Sequence, residues 1–412
     1  MVDYLTQYQM LDPDFSIPET AQAMLTEMEK GLRGERSSYP MIPTFLVAGG
    51  EVPDDIPVVV IDAGGTNFRS ALLRFKDGES VEEHLRVTRM PGSGTPVTWE
   101  EFIAFAADQI QPFISRTDRI GFCFSYTAEI TPEIDGRVIC IDKEVVVAGC
   151  EGKLVGESLS RELARRGFPG KRVVVLNDTA AVQLGGLARY RTEGFGQVSG
   201  TGTNTCCSIK GEQIRKLDGA HSMIINMEAG LYDGLIQGEF DRRLDMLSHN
   251  PGQKLLEKMT AGVYLGELFQ LAARQAASDG VLSGPCRDAL SGVREIGSAM
   301  ADVWASGEKM DAIRADENDR RFLSELARFF FERSAAIMCA NLRAMALLTG
   351  AGKERSAAVY AEGSLVQKNH FYRPELERLL KKYICEDLGR DIQLQVVYDT
   401  TLPGSAAAAL LN

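Results

Sequence analysis

Runs and alternations of apolar residues divide this chain before any motif is read. Val58-Val59-Val60-Ile61 is a short β-branched run and predicts a buried strand over 57–62. It enters Asp62-Ala63-Gly64-Gly65-Thr66-Asn67-Phe68-Arg69, and the apolar pattern resumes over 68–76, which puts both glycines at the tip of a β-hairpin. A third strand is expected around 83–89. Thr98 and Glu101 read as a capping box before an amphipathic helix running to about Ser115. A strand over 119–126, a polar hairpin around Asp135-Gly136 and a strand ending near Ile141 follow. A helix over 153–166 closes at Gly167, and Val173-Val174-Val175-Leu176 is a strand leading into Asn177-Asp178-Thr179. The next helix begins near Ala180. Three strands followed by alternating helix and strand make one α/β unit of about 130 residues.

The pattern then starts again. Phe195 to Ser199 is a short strand, Gly200-Thr201-Gly202-Thr203-Asn204 a second glycine turn, and Thr205 to Ile209 a strand running back, with more strand after Lys210-Gly211. Gly-Gly-Thr-Asn and Gly-Thr-Gly-Thr-Asn are echoes about 137 residues apart. Helices are expected over 241–248, from Gln253 through Phe269 with Leu256, Met259, Val263 and Leu268 on the apolar side, and over Leu323 to Leu348, the longest helical pattern. Ala357 to Tyr360 and Ile392 to Val397 read as strands, Pro374 to Tyr383 as a helix, and the Ala-rich run after Gly404-Ser405 as a final helix. At the N-terminus, residues 1–15 show no periodicity, Ser16-Ile17-Pro18-Glu19 opens a helix ending at Gly31 and Gly34, and 35–55 reads as a linker. Residues 281–320 are polar and carry no clear element.

Length and composition narrow the class. At 412 residues two or three domains are expected, and 44% hydrophobic with 25% charged residues is ordinary for a soluble globular chain. A net charge of −12 argues against nucleic acid or an anionic membrane as the main partner. An anion must then be held locally, by backbone amides, a few cations or a metal. The eight cysteines form no disulfide framework or zinc spacing, and Cys123, Cys206 and Cys207 fall in expected strands, which suits buried thiols in a reducing compartment. No apolar run approaches the about 18 residues of a membrane span, and the acidic N-terminal stretch has no signal-peptide pattern, so a cytoplasmic location is expected.

Glycines without Cβ let successive N–H groups approach an anion, so the two glycine turns can clamp two ends of one polyphosphate, although Gly-Gly-Thr alone also suits an ordinary hairpin. Asp62 and Asp178 both end strands, where ligands bind in open α/β sheets. Asp178 reads either as a helix N-cap or as a functional carboxylate. Two such acids with two glycine turns point to phosphoryl transfer, one acid orienting metal and the other taking a proton from the attacking hydroxyl.

With these segments the sequence resembles the hexokinase family of sugar kinases, within the actin-like ATPase superfamily, as a divergent bacterial member. Asp62 to Arg69 is similar to the first phosphate motif, Phe122-Cys123-Phe124-Ser125-Tyr126 to the sugar-segment strand, and Leu176-Asn177-Asp178-Thr179 to the catalytic-base segment. Gly200 to Asn204 resembles the second phosphate motif, Ile225-Asn226-Met227-Glu228 a sugar-binding turn, and Asn250-Pro251-Gly252-Gln253 onward the following family segment. The matches extend from about Met41 to Ser364.

The resemblance implies Asp178 as general base, with Lys143 as a second catalytic group. Ser125, Asp142, Lys143, Asn177, Asn204, Glu228 and Glu257 would line the sugar, while Gly64, Gly65, Thr66, Asn67, Arg69 and Thr201 would hold ATP phosphates. Mg²⁺ would come with the nucleotide, Asp62 and Asp178 acting on it through water. Gly363, Ser364, Gly404 and Ser405 would lie by the adenosine. Taken alone, Glu228 and Glu257 would suit a solvated helix face and Lys143 a surface cation.

Several positions depart from the family pattern. Thr127 replaces a proline, Asp142-Lys143-Glu144 replaces Thr-Lys-Gly, Ala229 replaces a tryptophan, and Pro403-Gly404-Ser405-Ala406 is a reduced C-terminal motif. Asp142 can only accept a hydrogen bond where a hydroxyl also donates. These changes fall on sugar and adenosine contacts and read as retuned specificity.

The expectation is an α/β two-domain actin-like ATPase (ribonuclease H-like) fold with a duplicated βββαβαβα core. The small domain would be 52–187 plus 400–412, and the large domain 1–51 plus 188–399. The chain would act as a monomer or homodimer on hexose and ATP. Its alternatives are a sugar-binding sensor without catalysis and a chaperone-like or filament-forming ATPase.

Overall fold

Two sheets carry the fold, and both have the same internal order. The computed structural model describes all residues except 48, 66 and 142–144. In the first sheet β1 (Val58–Ala63), β2 (Asn67–Lys76) and β3 (Glu79–Arg89) are joined antiparallel, and β4 (Arg119–Phe124) and β5 (Arg172–Leu176) are added parallel to β1, giving the order β5-β4-β1-β2-β3. The second sheet repeats this with β6 (Gly194–Ser199), β7 (Thr203–Ile209), β8 (Met223–Asn226), β9 (Ala357–Glu362) and β10 (Ile392–Val396), in the order β8-β7-β6-β9-β10. Ile42–Pro43 pairs onto the outer edge of β8. The echo between the glycine turns is therefore a structural duplication, each turn joining the first two strands of its sheet.

Local chemistry explains most element ends. Helix α1 (Ile17–Arg33) starts where the Ser16 hydroxyl accepts from the Glu19 N–H and stops at Gly34, which is left-handed at φ 77°. Helix α2 (Trp99–Ile110) has a complete capping box: the Thr98 N–H donates to the Glu101 carboxylate at 2.7 Å and the Glu101 N–H to the Thr98 hydroxyl at 3.2 Å. Every residue of β1 is buried, as befits a central strand covered on both faces. Helix α3 (Asp178–Tyr190) leads from β5 and packs against β6, so it lies between the two sheets.

The helix expected from Gln253 through Phe269 is two helices, α4 (Leu255–Thr260) and α5 (Gly262–Ser278). Between them Ala261 is extended at φ −81°, ψ 144°, because the Gly262 N–H leaves the helical ladder and donates to the Gly200 carbonyl at 2.7 Å. The break turns Val263, expected on the apolar side, out to 43% exposure. Residues 281–320, unplaced from sequence, hold the short helices Gly284–Ser291 and Ser298–Ala305, and Val2–Gln7 is helical as well. Helix α6 (Glu317–Thr349) is the long core helix of the second half.

The last helix, α7 (Thr401–Leu411), begins before Gly404-Ser405 rather than after it. It lies on β1 and β4 of the first sheet and on α3, so the end of the chain returns to the first unit. Small residues permit this approach: a Cβ on Gly404 would overlap the Ala181 carbonyl, and one on Gly121 the Ser405 carbonyl. Among the described residues no helix is long and apolar enough to cross a membrane.

Candidate active site

Strands β1, β4 and β5 run parallel and end together, with Asp62 in register with Cys123 and Cys123 in register with Leu176. Asp62 and the Asn177-Asp178 pair thus flank β4 at the carboxyl edge, about 10 Å apart along the sheet by strand spacing. This edge is where an open α/β sheet leaves room for a ligand.

Asn177, not Asp178, is the N-cap of α3. Its Oδ1 accepts the Ala180 N–H at 3.1 Å. Asp178 is the first helical residue; its Oδ1 accepts from the Thr179 N–H at 2.8 Å and the Thr179 hydroxyl at 3.2 Å, and Oδ2 has no hydrogen bond among the described residues. One carboxylate oxygen is fixed while the other is left to meet a proton.

Asp62 and Arg69 face each other across the β1–β2 hairpin. Arg69 Nε and Nη2 donate to Asp62 Oδ2 at 2.9 and 2.7 Å, and Nη1 lies 3.5 Å from Asp399 Oδ1. The first glycine turn sits beside Ser125. The Ser125 N–H donates to the Ala63 carbonyl at 3.0 Å, and a Cβ on Gly64 would overlap the Ser125 side chain. Gly65 faces open space and Asn67 is exposed. Burial pushes the Cys123 thiol well up, helped by the negative charges of Asp62 and Asp178 on either side.

The second glycine turn packs backbone to backbone on the segment after β9. Gly363 has φ 125°, and a Cβ there would overlap the Ser199 carbonyl, so only glycine fits. Ser364 adjoins Gly200, a Cβ on Gly200 lying 3.3 Å from the Ser364 nitrogen, and Thr201 is exposed at the tip.

Beyond this turn lies a polar network. Asn204 Nδ2 donates to Asn226 Oδ1 at 2.8 Å, and Asn226 Nδ2 donates to Glu228 Oε1 at 2.7 Å. Asn204 Oδ1 accepts the N–H groups of Thr205 and Ala229 at 2.7 and 3.2 Å. Glu257, in the first turn of α4, accepts the Thr203 N–H at 3.2 Å and has Lys254 Nζ at 3.5 Å. Burial raises the Glu228 carboxyl above its ordinary value. The Asn226 hydrogen bond and the Lys254 charge oppose that rise, while Asp178 and Glu257 add to it. The first unit's Asp178 and the second unit's Glu228 therefore lie in one electrostatic neighbourhood.

Of the residues singled out from sequence, Ser125, Asn177, Asp178, Asn204, Glu228 and Glu257 fall at these two facing edges. Gly64, Gly65, Asn67, Arg69, Thr201, Gly363 and Ser364 form the two turns and their supports. Thr66, Asp142 and Lys143 lie outside the described residues. Gly404 and Ser405 depart from expectation: both are buried inside α7, the Ser405 hydroxyl donates to the Thr401 carbonyl at 2.7 Å, and helix packing leaves Ser405 no surface for adenosine. Asn226 and Lys254 were not singled out, although both stand inside the segments that were. Among the described residues no group of three or more His, Cys, Asp or Glu side chains is placed to hold a metal ion.

Hexokinase family models match residues 5–187 and 194–411, the second alone covering more than half of the chain. The chain belongs to the hexokinase family. Hexokinase-1 of Nicotiana tabacum is 26% identical over 97% of this chain and 87% of its own length. Human Hexokinase-2 is 28% identical over 92% of this chain, which spans 45% of that longer protein. In three dimensions the chain matches a Schistosoma mansoni hexokinase complexed with glucose at a TM-score of 0.81, with 21% identity over 99% of this chain and 97% of the other. The two-sheet architecture is thus that of hexokinases.

Proposed function

We propose that this hexokinase-family chain transfers the γ-phosphoryl group of MgATP to the 6-hydroxyl of glucose or a related hexose. The observation that carries this reading is the pairing of Asp178, held through one oxygen at the end of β5, with the Asn204–Asn226–Glu228–Glu257 network across from it. Asp178 takes the proton of the attacking hydroxyl as the new P–O bond forms and the bond from the γ-phosphorus to the bridging oxygen breaks, releasing ADP. Ser125, Asn177, Asn204, Glu228 and Glu257 hold the other hydroxyls, and a polar site of this kind rejects a ligand that leaves one of its groups unpaired. Lys143 and Asp142 are assigned to the sugar loop on sequence alone.

The two glycine turns suit the phosphates, since Gly65 and Thr201 are open at their tips. Arg69, braced by Asp62, brings a cation beside the first turn, and Gly363 with Ser364 flanks the second on the nucleoside side. Bound with the nucleotide, Mg²⁺ would supply charge neutralisation on the phosphates, and Asp62 and Asp178 would be the carboxylates to hold it, through water. The division into 52–187 plus 400–412 against 1–51 plus 188–399 places the two turns on opposite units. Closure between the units would exclude water as a competing acceptor. A cytoplasmic location fits this chemistry.

The test is ADP release from MgATP against a panel of hexoses and amino sugars, with a no-sugar control. Turnover that requires one sugar supports the reading and names the acceptor. Tight sugar binding without turnover would favour a sensor, and turnover without sugar a general ATPase.

A further inference from the structure

A cavity of about 450 Å³ lies between the N-terminal segment, α1, the loop after Glu228 and α6, within the size range of small-molecule sites. Its apolar lining includes Met10, Phe15, Tyr232, Met259 and Ile337. Four carboxylates, Asp12, Asp14, Glu19 and Glu332, also line it. The one lining cation among the described residues, Arg333, is already spent: Nη1 and Nη2 donate to the Asp241 carboxylate at 2.8 and 2.6 Å. Asp14, Glu19 and Glu332 make no side-chain hydrogen bond or ion pair among the described residues. All three are solvent-exposed at the rim, and Glu332 also has the Arg328 and Arg378 charges near it. Aromatic and apolar walls beside a carboxylate rim are the chemistry that recognises an ammonium group on a hydrophobic body.

The cavity wall is also the support of the sugar site. Tyr232 closes the turn that follows Glu228, its N–H donating to the Ala229 carbonyl at 3.1 Å. The Tyr232 carbonyl in turn accepts the Leu256 N–H at 3.1 Å, at the start of the helix that carries Glu257 and Met259. An occupant touching Tyr232 and Met259 therefore touches the elements that position both sugar-side carboxylates.

We propose that this cavity is an effector site for a small amphiphilic cation, an aryl- or alkylammonium, whose binding changes hexose affinity; the coupling half rests on the proposed sugar site. By linkage the sugar must change ammonium affinity by the same factor.

Calorimetry on the full chain tests this with 4-phenylbutylammonium, 4-phenylbutanol and 4-phenylbutyrate, each with and without saturating glucose. The expected result is ammonium binding at least about 10-fold tighter than the carboxylate, and an ammonium Kd that glucose shifts by about 5-fold or more. Glu332→Gln should weaken ammonium binding about 3–10-fold without changing turnover in its absence, and Ile337→Trp should fill the cavity and remove binding. Equal binding of the three probes, or binding that survives Ile337→Trp, would overturn the site. An ammonium Kd indifferent to glucose, when glucose itself binds, would overturn the coupling. Failure of hexose turnover would contradict the kinase reading instead, so the two failures are distinguishable.

Discussion

Asn177 caps the helix that Asp178 begins, its Oδ1 accepting the Ala180 N–H at 3.1 Å. A strand-end aspartate would otherwise be spent on the orphan N–H groups of its own helix. Shifting that duty by one residue leaves Asp178 Oδ2 for chemistry. Asn177→Ala should therefore destabilise α3 by about 1 kcal/mol. It should also lower kcat more than a comparable cap deletion elsewhere, such as Ser16→Ala. Urea unfolding together with steady-state kinetics on both variants checks this.

Asn226 holds Glu228 in place at 2.7 Å, and Glu228 is itself left-handed at φ 52°. Asn226→Ala removes a hydrogen bond to a carboxylate, worth about 1.5–3 kcal/mol, so hexose KM should rise by about 10-fold or more. ATP KM should change little. A matched rise in both constants would point to general damage rather than to the sugar site.

Glu228 also sets a pH dependence. Burial raises its carboxyl, and in the proposed site the hexose hydroxyls would need the ionised form as acceptor. Hexose affinity should thus be full at neutral pH and fall as pH drops toward a value above the ordinary glutamate range. Isothermal titration across pH 4.5 to 7.5, taken as about the span around that range, should show this in the wild type and lose it in Glu228→Gln.

Gly363 stands at φ 125°, with the Ser199 carbonyl where a Cβ would be. Gly363→Ala should cost about 2 kcal/mol or more, through backbone strain and displacement of the second glycine turn. A lowered urea midpoint with a raised ATP KM is the expected signature. Gly65→Ala, which meets open space, should leave stability nearly unchanged.

The duplicated sheets and both glycine turns were legible because buried β-branched runs and glycine pairs are local signals. The break at Ala261 was not, since helical periodicity runs straight through it and the cause, the Gly200 carbonyl, lies far away in sequence. The final helix was expected only after Gly404-Ser405, yet proline is tolerated in a first helical turn, and a Cβ on Gly404 would overlap the Ala181 carbonyl. Asn226 and Lys254 escaped because their role is to serve Glu228 and Glu257, and such partnership appears only when the chain is folded.

The central claim is that Asp178 carries the proton of the transferred hydroxyl. The most direct measurement is kcat of Asp178→Asn with the preferred hexose, beside its hexose Kd. Turnover should fall by about 10²–10⁴-fold or more while hexose binding stays within about 10-fold of wild type. Turnover within a few-fold of wild type would contradict the assignment and move the base elsewhere in the site.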